Sequence, residues 1–115
     1  MIRRNLSREV ETRSNMRGGI GQITVTHYLK PDELKARTRL CAELRIPAGA
    51  SIGTHEHTDE DEIYIIHQGK GMMTDSDREF EVTPGDTIVT GQGASHSIRN
   101  HGSEDLVITA IIIKY

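Results

Sequence analysis

At 115 residues the chain is long enough for one domain with its own core and no disulfide support. Hydrophobic residues make up 35%, charged residues 27%, and the formal charge is −3, so the chain reads as soluble, and nothing favours nucleic acid, which needs clustered Lys and Arg. The single cysteine, Cys41, excludes an intrachain disulfide, no run approaches the ~18 apolar residues of a membrane span, and no apolar stretch follows Arg3-Arg4 as in an export signal. A cytoplasmic protein with neither nucleic-acid nor membrane partners is expected.

Residues 1–19 are polar, with only Leu6 and Val10 at helical spacing, and read as an N-terminal arm, extended or partly helical. Arg3, Arg4 and Arg8 read as a solvated tail. Gly18-Gly19-Ile20-Gly21 lacks the Lys-Ser/Thr pair and the preceding strand of a phosphate loop and is read as a turn. Residues 20–115 are then one domain. Ile20 to Leu29 alternates as a strand, and Pro31 to Lys35 has the composition of one helical turn. Thr38 to Ile46 alternates with period two, Leu40, Ala42, Leu44 and Ile46 against Arg39, Cys41, Glu43 and Arg45.

Gly49 to Gly69 carries the chemistry. One residue separates His55 from His57, so on an extended strand both imidazoles share a face. Thr58 to Asp61 has the length of a hairpin loop that returns Glu62 beside the histidines at the start of a partner strand. Two imidazoles and a carboxylate make ligands for a divalent metal. By parity Tyr64 and Ile66 share the face of Glu62, while Ile63, Ile65 and His67 face away.

Gly71 to Thr74 and Arg78 to Val82 form a hairpin around Asp75-Ser76-Asp77, and Thr87 to Thr90 is a further strand. Gly91 and Gly93 make a glycine-rich corner before His96 and Asn100, so His96 enters the site from a different hairpin. The terminal strand, Asp105 to Tyr115, is apolar on both faces, and both must be covered. With one Phe, three Tyr and no Trp, the core is built from aliphatic residues, with Met72 and Met73 as filler. About nine short strands and almost no helix indicate an all-β sandwich or barrel.

The two stretches resemble the two motifs of the cupin superfamily. Gly49, His55, His57, Glu62 and Gly69 match the first motif throughout. Gly85, Gly93, His96 and Asn100 match the second, with Gly91 where the family usually has Pro, a change expected to affect corner stiffness and not ligation. The resemblance implies a cupin jelly roll, a double-stranded β-helix barrel of two antiparallel sheets. It implies one divalent transition metal per chain on His55, His57, Glu62 and His96, with Asp61 in reserve through the family's shorter spacing. Mn or Fe is favoured over Zn, Ni or Co, and Ca and Mg are disfavoured because they prefer all-oxygen surroundings.

Asn100 is expected to hold a turn, His27 to be an ordinary hydrogen-bonded residue, and His67 and His101 to be structural or exposed. The pocket is expected to be narrow and apolar, lined by Ala42, Ile66, Ile108 and Ala110, with Tyr64 as the catalytic candidate, supplying a hydrogen bond or a proton. The resemblance then implies a metal-dependent enzyme acting on a small carboxylic, keto or sugar acid by oxalate decarboxylase-like, dioxygenase or keto-uronate isomerase chemistry. One domain and no clear lid weaken the decarboxylase option. The other reading is a non-catalytic metal-dependent small-ligand binder or sensor, and the lack of a helix-turn-helix tilts the balance toward an enzyme. The two-faced terminal strand, with Ile63 and Ile65 facing outward, implies a homodimer.

Overall fold

The computed structural model describes residues 1–115. Ten strands follow in order: β1 (Glu9–Ser14), β2 (Gln22–His27), β3 (Thr38–Ile46), β4 (Ser51–Glu56), β5 (Glu60–Gln68), β6 (Gly71–Asp75), β7 (Arg78–Val82), β8 (Thr87–Gly91), β9 (Ser95–Asn100) and β10 (Leu106–Lys114). Three 3₁₀ turns, Asn5–Ser7, Met16–Gly18 and Pro31–Glu33, are the only helical pieces. The strands form two antiparallel sheets, ordered β1-β2-β3-β10-β5-β8 and β4-β9-β6-β7. This is the all-β jelly-roll barrel.

Alternation decides what lies between the sheets. The strictly alternating strands β3 and β5 bury Ala42, Leu44, Ile46, Tyr64 and Ile66, and β10 adds Ile108, Ala110 and Ile112 from between them. From the other sheet come Ile52, Met73, Val82 and Ile98. Each aliphatic side chain of this size stabilises the fold by about 1.5–3 kcal/mol when fully buried. Met73 is filler as expected, while Met72 is half-buried.

Two expectations change. The segment read as an arm contains β1, which pairs along its whole length with β2, and Arg3 forms an ion pair with Glu33. Arg8 lies over the Tyr28 ring, 5.5 Å from its centroid, so this tail is packed as well as solvated. The histidine strand and the Glu62 strand are not a hairpin. β4 pairs with β9 in the smaller sheet, whereas β5 pairs with β10 and β8 in the larger one. Thr58 and Asp59 carry the chain across, Asp59 turning it at φ 58°. β5 starts two residues before Glu62, and the histidines meet it across the barrel.

Candidate metal centre

The smaller sheet supplies the three imidazoles. His55 on β4 lies directly opposite His96 on β9, and the β4–β9 register slips between Ile52 and His55. A bulge of this kind inserts an extra residue and re-aims the side chains beside it. His57 follows the end of β4, with its backbone held by the β8–β9 corner: its N–H donates to the Ala94 carbonyl (3.1 Å), and its carbonyl accepts from Gly93 N–H (2.9 Å). Glu62 faces them from the larger sheet. One ligand atom from each of His55, His57, Glu62 and His96 falls within 4.8 Å of all the others.

The hydrogen bonds fix the tautomers. His55 Nδ1 lies 2.7 Å from the Gly53 carbonyl, which only accepts, so Nδ1 carries the proton. His57 Nδ1 lies 2.6 Å from Glu60 Oε2 and donates to that carboxylate. Both rings therefore turn a bare Nε2 inward. His96 Nε2 is 3.0 Å from that of His57 and 3.1 Å from that of His55. Glu62 Oε1 is 3.0 Å from His57 Nε2 and from His96 Nε2, and 4.0 Å from His55 Nε2. It is fully buried without a hydrogen-bond donor of its own. The bare nitrogens of His55 and His57 and the Glu62 carboxylate, converging in a buried site, repel one another unless a cation or a proton sits among them. The residues fit a divalent transition ion with nitrogen and oxygen ligands.

The electrostatics agree. Burial pushes the Glu62 carboxyl up, but His57 and His96 outweigh it and hold it at about 2. Burial pushes His55 down from its ordinary value, toward the neutral form a ligand needs. Burial also pushes His57 down, and Glu62 and Glu60 more than reverse this.

Tyr64 is fully enclosed (2% exposed), and its ring stacks on His96 at 5.2 Å. Burial, then the Glu62 carboxylate, raises its hydroxyl well above the ordinary range. It stays protonated. Asp61 faces away, as parity demands, and accepts a hydrogen bond from Tyr115 (3.2 Å), so it is no reserve ligand. Gly91 pairs with Asp61, and a Cβ there would collide with the Asp61 carboxylate, so this glycine provides room more than flexibility. Asn100 ties the β9–β10 turn, donating to the carbonyls of Ile46 and Glu104 (2.8 Å each) and accepting from Gly102 N–H (2.9 Å). His27, His67 and His101 bind Glu11, Thr109 and Glu81 outside the cluster.

A cavity of about 230 Å³ opens onto the cluster. The expected lining of Ala42, Ile66, Ile108 and Ala110 lies instead in the core, and the apolar wall is Met16, Leu40, Leu44 and Ile112. The remaining wall is charged: Arg13, Arg17 and Arg39 line it too. Parity pointed Arg39 outward with Cys41. The β3–β10 register slips there, Ile112 facing Leu40 and Ile113 facing Thr38, so Arg39 is the unpaired residue of a bulge. Its guanidinium grips Glu60 with two hydrogen bonds, of 2.9 and 2.7 Å. An Arg39–Glu60–His57 chain thus orients one ligand ring. Parity with Glu62 was the sequence signal for Glu60, and none pointed to Arg13 or Arg17.

The fold is a barrel whose four-residue cluster could hold one metal ion, and comparison with known proteins gives the family. The Cupin domain family model matches residues 42–112, and the chain belongs to the cupin family. A Thermotoga maritima protein named oxalate-binding protein is 39% identical over 113 residues, covering 98% of this chain and 93% of that protein. The crystal structure of a predicted oxalate decarboxylase from the same organism superposes with a TM-score of 0.95 at 38% identity, over 100% of both chains. The Cnp3 cupin domain of Schizosaccharomyces pombe shares the fold at 17% identity, with a TM-score of 0.74 over 91% of this chain and 69% of that one.

Proposed function

We propose that the chain binds a small carboxylate, oxalate first among candidates, on one divalent transition metal held by His55, His57, Glu62 and His96. The carrying observation is the set of three imidazole nitrogens converging with an orphaned buried carboxylate on a cavity of about 230 Å³. That volume lies below the ~300 Å³ at which pockets for drug-sized ligands begin, which favours a two- or three-carbon acid over a sugar acid. The relative named for oxalate binding supports the same reading. When bound, the ion would act as a Lewis acid on a carboxylate or carbonyl oxygen, with Mn or Fe our first choice. The protein would orient the ligand against the imidazoles and exclude water with Met16, Leu40 and Ile112.

Turnover is the second reading, and Tyr64 favours it. Tyr64 is the only hydroxyl-bearing residue lining the cavity, and burial keeps it protonated. Cleaving oxalate to carbon dioxide and formate consumes one proton and no external oxidant, and Tyr64 would deliver that proton. We place the protein in the cytoplasm, in line with its lone thiol, and as a homodimer through the outer face of the larger sheet. There Val89 (62% exposed) and Ile113 (41%) adjoin the half-buried Ile63, Ile65 and Ile111. Its mass in solution tests that assembly.

The test of function is elemental analysis of untagged protein with and without chelator, followed by oxalate calorimetry and formate assay. About one Mn or Fe per chain, with oxalate affinity lost on chelation, supports binding, and formate release supports turnover. Failure to take up metal, or oxalate affinity indifferent to chelator, overturns the reading. His57→Ala is expected to lose most of the metal while the barrel remains folded, because the core does not depend on that ring.

A further inference from the structure

The metal ligands all lie within the matched cupin core, residues 42–112, but the three guanidiniums of the cavity wall lie outside it. Arg13 comes from β1, Arg17 from the Met16–Gly18 turn and Arg39 from the β3 bulge. Their partners leave donors free. Arg13 uses only Nε, on Glu11 (2.6 Å), and Arg39 uses Nε and one terminal nitrogen on Glu60. Arg17 has no acidic partner.

The turn that carries Arg17 is built against backbone preference. Asn15 (φ 50°) and Arg17 (φ 55°) both take the left-handed conformation that non-glycine residues avoid. Such outliers persist where their surroundings over-determine them, and they cluster at functional sites. Here the turn is stitched to the histidine strand: Ser51 N–H donates to the Ile20 carbonyl (2.8 Å), and Ile20 N–H donates to Ser51 Oγ (2.8 Å). Gly19 and Gly53 lie so close to the facing backbone that a Cβ on Gly53 would overlap the Arg17 carbonyl. The Arg17 backbone is thereby fixed against β4, the strand that carries His55, and its side chain lines the cavity.

We propose that Arg13, Arg17 and Arg39 form a dianion-recognition mouth over the metal cluster, so that the site selects dicarboxylates over monocarboxylates of the same size. The proposal rests on the metal–carboxylate reading and names what that reading leaves open, the charge of the ligand. Charge balance carries it. Three guanidiniums and a divalent ion, set against Glu62 and the paired Glu11 and Glu60, leave two positive charges in a confined space. A dianion neutralises both, whereas a monoanion leaves one uncompensated. Guanidinium donors also fit paired carboxylate oxygens as a fork, so the two oxygens of a chelated oxalate that face away from the metal meet the group suited to them.

The test compares oxalate with glycolate on Mn(II)-loaded protein by calorimetry, with metal content measured in parallel. Both ligands chelate through two oxygens, and they differ by one charge and by the second oxygen that oxalate turns away from the metal. Arg17→Asn suits the left-handed backbone and removes the guanidinium without threatening the fold. It should weaken oxalate about tenfold or more, glycolate less than about threefold, and leave metal content unchanged. Arg17→Lys should recover part of the loss, and Arg13→Ala should act in the same direction. Oxalate affinity unchanged in both Arg17→Asn and Arg13→Ala, or oxalate and glycolate weakened in equal proportion, overturns the mouth. If wild-type protein takes up no metal, the metal reading fails by itself. The mouth is then judged on metal-free protein, where arginine-dependent oxalate binding upholds it and its absence overturns it.

Discussion

At the scale of single residues, Glu60 matters most among those that touch neither ligand nor metal. It accepts the Nδ1 proton of His57 and is itself held by Arg39, so it fixes which nitrogen of that ring faces the cluster. Arg39, then His57, hold its carboxyl below the ordinary range against burial, so it stays an acceptor. Partners of this kind typically contribute 10–100-fold in metal affinity. Glu60→Ala is expected to weaken metal binding by about that factor with all four ligands in place, measured by competition against a chromogenic chelator. The cluster of His55, His57 and Glu62 was legible in the sequence because His-x-His and a carboxylate at fixed spacing are properties of neighbours in the chain. Glu60 was half legible, since alternation puts it on the face of Glu62. Arg39 was illegible because a bulge breaks the alternation from which its direction was read.

At the scale of elements, the Asn15–Gly21 loop and β4 act as one piece. Gly53→Ala would drive a methyl group into the Arg17 carbonyl, and backbone cannot yield as a side chain can. A loss of about 1–3 kcal/mol is expected, read as a fall in thermal midpoint of several degrees. The strand before the loop is held partly by charge. Glu11 pairs with His27 and Arg13, and Glu9 with Lys30. The His27 hydrogen bond, then that of Arg13, lower the Glu11 carboxyl below its ordinary value. A group lowered in the folded state stabilises it above the unfolded carboxylate range and ceases to do so as pH falls through the folded value. Glu11 is 43% exposed, although His27 is buried, so the effect is small and screened. Hydrogen exchange in β1 is expected to speed up, relative to β10, between pH 5 and about 3; equal change in both strands would refute this. The elements themselves were legible from period-two alternation, apart from β1, whose polar residues carry too few apolar positions to show a pattern. The pairing of β4 was not, because a short acidic loop serves a hairpin and a crossing between sheets equally well.

At the scale of the molecule, the ligands are divided: three imidazoles come with the smaller sheet and one carboxylate comes with the larger. An ion bound there joins the two layers of the barrel as well as four residues. Because binding to the folded state alone stabilises it by mass action, free metal at one hundred times its dissociation constant contributes about 2.7 kcal/mol. Chelation is expected to lower the thermal midpoint by several degrees and re-addition to restore it, as followed by calorimetry, with no comparable shift in a His57→Ala variant. The barrel architecture was legible from the two motifs together with the run of short strands. The charged mouth was not, because it is assembled from three places in the chain that share no spacing.

The close contact between Gly53 and the Arg17 carbonyl also bears on how such a protein can change over time. A new residue at position 19 or 53 disturbs its counterpart across the contact, so neither the N-terminal loop nor the start of the histidine strand can gain a side chain there without the other yielding. Side chains on the loop are under no such restraint: Arg17 projects from the clamp without forming it. The cavity wall can therefore change by exchanging one side chain at a time on a fixed frame, while the histidine and glutamate cluster below stays as it is.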